Sequence, residues 1–256
     1  MASPAQTVSG EESIEARGVS VYFQGVKAVV GVDLAMERGE ILGLIGPNGA
    51  GKTTLLNALS GFQPLTSGGI WLGGQPVTGW VPFRLAQAGL SRTFQNVRLF
   101  GGLTVLENIE LGAVGAGLSR KAAQVRAWDL LDRMNLADKA AARADALPYG
   151  QERRVGILRA VASYPRFLLL DEPAAGLNEA ESDDLMKTIA DLRSEIGCGV
   201  LVIEHDMRLI MGLCDRIQVL DYGKTICIGN PTEVQSDPTV ITAYLGTTRP
   251  RIVANS

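Results

Sequence analysis

The sequence predicts an α/β fold with a parallel core, and three observations predict it. The mostly apolar run Glu40-Ile41-Leu42-Gly43-Leu44-Ile45, bounded by Gly39 and Gly46, reads as a buried strand, and Thr53-Thr54-Leu55-Leu56-Asn57-Ala58-Leu59 after it has helical spacing. Two later runs, Phe167-Leu168-Leu169-Leu170 and Val200-Leu201-Val202-Ile203, repeat the buried-strand character; between them Leu185, Ile189, Leu192 and Ile196 recur as one face of a helix that Gly197 stops. The segments flanking the first strand carry two-residue alternation instead, which suggests a small antiparallel sheet laid against the α/β core. With 256 residues, 46% of them hydrophobic, the chain can bury one large core and one small inserted subdomain.

In chain order, residues 1–12 are polar, lack the apolar centre of a signal peptide and are expected to be a disordered tail. Residues 14–23 and 27–36 are two strand-like runs around Gln24-Gly25, and Val32, Leu34 and Met36 alternate with Asp33, Ala35 and Glu37 as in a half-buried antiparallel strand. Residues 68–77 form a further β stretch with Gly73-Gly74 as its turn. From about residue 97 the strand pattern stops. Val105-Leu106-Glu107-Asn108-Ile109 opens a helical stretch, residues 122–134 are helical, and an alanine-rich segment, 136–146, follows. The expected organisation is one domain over 13–246: core and antiparallel sheet in 13–96, a helical insert in 97–146, and returning core in 147–246. A hairpin-like pair brackets Asp221-Tyr222-Gly223-Lys224, two short helices near Pro231-Thr232 and residues 237–245 close the domain, and 247–256 is a second disordered tail.

Composition narrows the function. A net charge of −3 gives no basic footprint for nucleic acid. No stretch approaches the roughly 18 apolar residues of a membrane span. Cys198, Cys214 and Cys227 are odd in number and in no ligand spacing, so they read as reduced thiols of a cytoplasmic protein and receive no function.

The chemistry begins in the loop between the first buried strand and its helix. Gly46-Pro47-Asn48-Gly49-Ala50-Gly51-Lys52-Thr53 fits G-x-x-x-x-G-K-T, and the strand and helix on either side are the setting that a phosphate-binding P-loop requires. Its glycines let successive N–H groups face inward onto a triphosphate at the helix N-terminus. Lys52 would reach the β- and γ-phosphates, Thr53 would place its hydroxyl on Mg²⁺, and Thr54 continues the phosphate-binding turn. Asp171-Glu172 ends the second buried strand. Asp171 is placed for the Mg²⁺ shell, and Glu172 to orient or deprotonate the attacking water. His205, the chain's single histidine, follows the third buried strand and can hydrogen-bond a γ-phosphate while holding the water and Glu172 in line. Gln95, at the junction between core and insert, can ligate Mg²⁺ or water and report occupancy to the insert. Phe94, Val97, Leu99 and Phe100 beside it are read either as a groove for a partner helix or as ordinary core.

Together these residues resemble the ATP-binding cassette (ABC) family over nearly the whole chain, with every motif in order. The resemblance implies a P-loop NTPase (RecA-like) core with an antiparallel β subdomain and an inserted α-helical subdomain, binding ATP and Mg²⁺. It places the family's Leu-Ser-Gly-Gly-Gln signature at Leu147-Pro148-Tyr149-Gly150-Gln151 and the loop after the catalytic Glu at Ala175-Gly176-Leu177-Asn178. Phe23, or else Tyr22, matches the aromatic that stacks on adenine. Two such cassettes sandwich two ATPs, each P-loop facing the other's signature. A finer resemblance, to the LivG-type subunits of branched-chain amino-acid importers, rests on Arg92-Thr93-Phe94-Gln95-Asn96-Val97-Arg98-Leu99-Phe100, Tyr149-Gly150-Gln151-Glu152-Arg153-Arg154, Asp171-Glu172-Pro173-Ala174-Ala175-Gly176-Leu177-Asn178, Ile203-Glu204-His205-Asp206-Met207, and the closing Asp237-Pro238 with Ala243-Tyr244-Leu245-Gly246. It implies a peripheral subunit on the cytoplasmic face of the inner membrane. Its partners would be a LivF-type ATPase or a second copy of itself, two permease subunits and, indirectly, a periplasmic binding protein. Importers of urea and other amides share much of the pattern, and an exporter of lipid or lipopolysaccharide or a non-transport ATPase are the alternative readings. Two adjacent positions depart from the family: Pro148 stands where the signature Ser donates to the γ-phosphate and has neither a hydroxyl nor an N–H, and Tyr149 stands where the family has Gly.

Overall fold

A computed structural model describes residues 12–95 and 97–245; of the expected tails 1–12 and 247–256, residues 1–11 and 247–256 lie outside the described residues, together with Asn96 and Gly246, while Glu12 is described and its carbonyl accepts from the Arg38 N–H at 3.0 Å. Ten strands form two sheets. In the smaller, β1 (Ser13–Phe23), β2 (Val26–Glu37), β4 (Ser67–Leu72) and β5 (Gln75–Pro76) pair antiparallel in the order β2-β1-β4-β5. The alternation in β2 holds: Val32, Leu34 and Met36 are buried while Asp33 and Glu37 are exposed. In the larger, β3 (Ile41–Ile45), β6 (Leu90–Arg92), β7 (Phe167–Asp171), β8 (Gly199–Ile203) and β9 (Arg216–Asp221) run parallel in the order β9-β3-β8-β7-β6, and β10 (Lys224–Gly229) adds antiparallel to β9.

The larger sheet is covered on both faces, which is why β3, β7 and β8 are buried at every residue. Ile41, Ile45, Leu168, Leu170, Val200 and Val202 face one core, completed by helices. Leu42, Leu44, Phe167, Leu169, Leu201 and Ile203 face the other, completed by the antiparallel sheet and α1 (Lys52–Leu59). Gly43 in β3 is tightly packed: a Cβ there would stand 3.0 Å from Cys214 Sγ, so that side chain would have to give way.

The helical layer holds α3 (Val105–Gly115), α4 (Arg120–Arg133) and α5 (Tyr149–Val161), with α3 packed on both of the others. Thr104 and Glu107 start α3 with a reciprocal capping box, and Ser119 caps α4. The alanine-rich stretch that follows forms two 3₁₀ turns, Ala137–Lys139 and Ala144–Ala146, and Arg143 bridges to Thr104. Asn108, fully buried, fastens the segment before α3: it accepts from Phe100 N–H at 2.9 Å and donates to the carbonyls of Phe100 and Thr104.

Four elements escape the hydrophobic pattern. These are α2 (Pro82–Gln87), β6, α5 and α7 (Met207–Leu213). Three are short, and α5 buries Arg153 and Gly156 on its inward face, which interrupts its apolar period. The long helix α6 (Glu179–Ile196) and the closing helices α8 (Pro231–Ser236) and α9 (Pro238–Leu245) follow their sequence patterns.

The α3–α5 crossing has no slack. A Cβ on Gly112 would lie 1.9 Å from the Arg159 carbonyl oxygen, so Gly112→Ala must push the two helices apart. Such overpacking costs about 1–3 kcal/mol, measurable as a lower urea midpoint with an unchanged slope.

Candidate functional site

Parallel strands deliver their C-terminal ends to one edge of the sheet, and the polar motifs sit there. The turn after β3 is the P-loop. Gly46 and Gly51 have φ of 146° and 101°, and a Cβ on them would meet the Leu220 and Ala28 carbonyl oxygens at 2.0 and 2.4 Å, so neither position admits another residue. Gly49 shares the left-handed conformation, with φ of 80°, over open space. The Gly223 N–H in the β9–β10 turn donates to the Ala50 carbonyl at 3.0 Å and supports the loop from beneath. Lys52 is buried and donates to the Gly46 and Pro47 carbonyls at 2.7 and 3.0 Å. Burial lowers its pKa, while the nearby Glu172 and Asp171 carboxylates oppose that shift. Pro47, Asn48 and Thr53 are half-buried or exposed along the rim of the loop, and Thr54 is half-buried behind them.

The end of β7 carries the two acids. Asp171 Oδ2 accepts from Arg92 Nη2 at 3.1 Å in a pair whose side chains are 7% and 6% exposed. Burial raises the Asp171 pKa, with Arg92 acting against it, and burial likewise lowers that of Arg92. Arg92 also donates to Asn57 Oδ1 at 2.6 Å and Ser60 Oγ at 2.8 Å on the P-loop helix, and its guanidinium lies 4.8 Å from the Phe94 ring centre. Asp171 is therefore tied through Arg92 to α1. That link was not visible from the sequence, where Arg92 appears only within a longer run. The usable signal is a cation at the end of a short strand beside an acid-ended one.

Glu172 has φ of 48°, unusual for a residue with a side chain, and its N–H donates to the Ile203 carbonyl at 2.9 Å. Gln95 Nε2 donates to Glu172 Oε2 at 2.7 Å, and His205 Nε2 meets Oε1. Two residues, from beyond the ends of β6 and β8, thus converge on the Glu172 carboxylate at the end of β7; the Gln95 contact with Glu172 was not part of the sequence expectation, which gave Gln95 to Mg²⁺ or water. Glu204, which the sequence reading passed over, is buried. It accepts from Ala174 N–H at 2.6 Å and from His205 N–H at 3.2 Å, clamping the two loops together, and burial raises its pKa.

Residues 147–151 start α5, with exposed Pro148 as its N-cap and no side-chain acceptor there. Leu147, Gly150 and Gln151 are half-buried. No hydrogen bond among the described residues joins this turn to the P-loop. It reaches the acid cluster through Arg153, which donates to the Tyr149 hydroxyl and to the Glu172 carbonyl. Phe23 and Tyr22 are both partly exposed at the end of β1, and Lys27 Nζ stands 5.7 Å from the Tyr22 ring centre. An open groove between α2, α3 and α5 is lined by Phe83, Phe94, Val97, Phe100 and Leu111, with Arg98 and Arg159 among them. Leu99 follows the other of the two readings and packs against the helical core.

The oxygen donors at the strand edge, Thr53 hydroxyl, Asp171 carboxylate and Gln95 amide, are hard ligands of the kind Mg²⁺ takes alongside phosphate and water. The glycine-walled loop beside them has the shape of a phosphate cradle.

Comparison with known proteins agrees with this geometry. Residues 29–175 match the family model described as ABC transporter, and residues 224–249 match one described as branched-chain amino acid ATP-binding cassette transporter. The chain is 43% identical over 248 residues to the high-affinity branched-chain amino acid transport ATP-binding protein BraF of Pseudomonas aeruginosa, covering 91% of this chain and 97% of that protein. The ADP conformation of MJ1267, an ATP-binding cassette of an ABC transporter, superposes with a TM-score of 0.83 at 29% identity over 92% of this chain and 99% of the other. A dimeric post-hydrolysis state of the cassette MJ0796, bound to ADP and Pi, gives 0.76 at 27% identity over 85% and 98%.

Two outcomes follow from the electrostatics. Arg92→Met leaves Asp171 buried without its cation and is expected to cost about 3–5 kcal/mol in urea unfolding. Glu204 has a folded pKa above its unfolded value, so its ionisation weakens the fold at neutral pH and that cost is relieved as pH falls through the folded pKa. Between neutral and mildly acidic pH the wild-type chain should therefore gain stability relative to Glu204→Gln, read as diverging urea midpoints.

Proposed function

The chain belongs to the ABC transporter family, and on that premise we propose that it is the ATP-hydrolysing subunit of an importer of branched-chain amino acids or a related small amide or amino-acid solute. Membership makes it an ATP-binding ATPase cassette. The convergence of Gln95 and His205 on Glu172 beside the P-loop supports the hydrolytic role. The likeness to BraF and the match at 224–249 support the solute class.

In this reading the P-loop N–H groups from Gly46 to Thr54 and the Lys52 ammonium hold the phosphates, and Phe23 or Tyr22 stacks on the base. Thr53, Asp171 and Gln95 would hold Mg²⁺, which would supply positive charge to the phosphates. Glu172 takes the proton of the attacking water or orients it. Gln95 and His205 fix the two oxygens of its carboxylate, so the base is aimed before substrate arrives. His205 carries a second role: as the imidazole turns from Glu172 to the γ-phosphate, it signals that the phosphate is present. Residues 147–151 close over the ATP of a second cassette, either a LivF-type subunit or another copy of this chain. The groove beside Phe94 and Phe100 receives a helix from one of two permease subunits, with the periplasmic binding protein acting from the far side. No helix among the described residues is long and apolar enough to cross a membrane, which accords with a peripheral place on the cytoplasmic face.

Glu172→Gln is expected to lower ATP turnover at least a hundredfold while retaining ATP, and so to trap the sandwich dimer, visible as a larger species on size exclusion with Mg-ATP. Turnover near wild type would remove Glu172 from the base role. Tagged Glu172→Gln, purified from gently solubilised native membranes with Mg-ATP, should carry two permease chains and a second cassette, and an export permease in their place would overturn the importer reading.

A further inference from the structure

Arg153 is a buried cation, 3% exposed, with no carboxylate partner among the described residues. Its Nη1 donates to the Glu172 backbone carbonyl at 2.7 Å. Its Nη2 and Nε both donate to the Tyr149 hydroxyl oxygen, at 2.6 and 3.1 Å, and the guanidinium lies 5.1 Å from the centre of that tyrosine's ring. Every acceptor of this charge is therefore neutral and directional, so the group is held by geometry and not by a counter-ion.

Both ends of this link matter. At one end Glu172 keeps a left-handed backbone, φ 48°, between its N–H bond to Ile203 and a carbonyl that Arg153 and the Ala175 N–H share. A displacement of that carbonyl would shift the Glu172 backbone as a whole, and with it the side chain that meets Gln95 and His205. At the other end Tyr149 is 46% exposed on the turn that begins α5, and its ring leaves no room beyond Gly176: a Cβ there would sit 2.9 Å from Tyr149 Cε1.

We propose that Tyr149 and Arg153 are positioning residues for Glu172, and that they transmit load on residues 147–151 to the backbone of the carboxylate that handles the attacking water. The inference rests on the reading of Glu172 as the base and deepens it. What closes on the turn at α5 thereby regulates the aim of the base in this chain's own site, although the two serve different nucleotides. A shift of the phenol oxygen deprives two buried guanidinium N–H groups of their acceptor, and the compensating move available to Arg153 pulls on the Glu172 carbonyl.

The test uses the complex purified through the full-length chain, with ATP turnover, ATP binding and thermal unfolding measured on each variant. Arg153→Met should lower kcat on the order of tenfold or more while ATP binding and KM stay within about twofold. Arg153→Lys, which can still donate to the Glu172 carbonyl, should recover part of that loss. Tyr149→Phe should lower kcat less, and combined with Arg153→Met it should add nothing further. Unchanged kcat in Arg153→Met, additive losses in the double variant, or equal losses in Arg153→Lys and Arg153→Met accompanied by matching falls in melting temperature would each overturn the proposal. If Arg153→Met does not fold, the Arg153→Lys and Tyr149→Phe pair decides by the same criteria. Glu172→Gln run alongside separates the failures: normal turnover there condemns the base assignment, whereas lost turnover there with normal Arg153→Met condemns the link alone.

Discussion

The structure depends on one constraint: a parallel sheet buried on both faces has only its strand ends for polar work. β3 and β8 are apolar along their whole length and β7 is apolar up to Leu170, so a charged side chain introduced at those positions would be buried without a partner. The chain therefore changes character abruptly at each C-terminal end, to glycine after Ile45, to acid at Asp171, to Glu204 and His205 after Ile203. Because the strands are parallel and adjacent in the order β3-β8-β7-β6, these changes fall side by side. The site follows from sheet topology before any ligand is considered.

That edge concentrates negative charge. Asp171, Glu172 and Glu204 lie within two neighbouring loops, and burial already raises the pKa of the first and third. The structure balances them with cations of three kinds. Arg92 pairs directly with Asp171 and carries the restraint to α1. Lys52, whose nearest bonds are to loop carbonyls, acts on the acids through space. Arg153 touches no acid side chain and grips the Glu172 backbone instead. Such a site is tightly held in position, with its acids and cations restrained beside the glycine loop.

The sequence shows which parts of such a site can be read in advance. Long buried strands and the amphipathic α6 announce themselves by period, and the P-loop by glycines whose Cβ atoms would strike backbone oxygens. Asp171, Glu172 and His205 were legible because they lie at or just after the ends of buried strands, and Gln95 because it lies at the junction of core and insert. Arg92 and Glu204 were not, although they hold the first-named groups in place, because their partners are distant in sequence: Arg92 and Asp171 are 79 positions apart and Glu204 and Ala174 are 30 apart. Helix α5 was hidden for a related reason. Its buried face includes Arg153 and Gly156, chosen by contacts with Glu172 and with the side chain of Val97, so the apolar period fails where long-range contacts set the residue.

The same helix carries the departures from the family pattern, Pro148 and Tyr149, and the consequence of the first depends on pairing. Pro148 as N-cap leaves the start of α5 without a side-chain acceptor or donor, while the N–H groups of the first helical turn still point outward with the positive end of the helix dipole. A phosphate closing there keeps the backbone donors and loses one charge-assisted hydrogen bond, about 1.5–3 kcal/mol, or roughly a tenfold to hundredfold weaker hold. In a homodimer both ATP sites would bear that loss, because each borrows this turn from its neighbour. In a pair with a second, different cassette only the partner's site would bear it, and the P-loop of this chain would work with whatever signature the partner supplies. Proline would thus be tolerable where the two sites divide their labour, and turnover would then be expected on the side of this chain, which keeps Lys52, Asp171, Glu172 and His205.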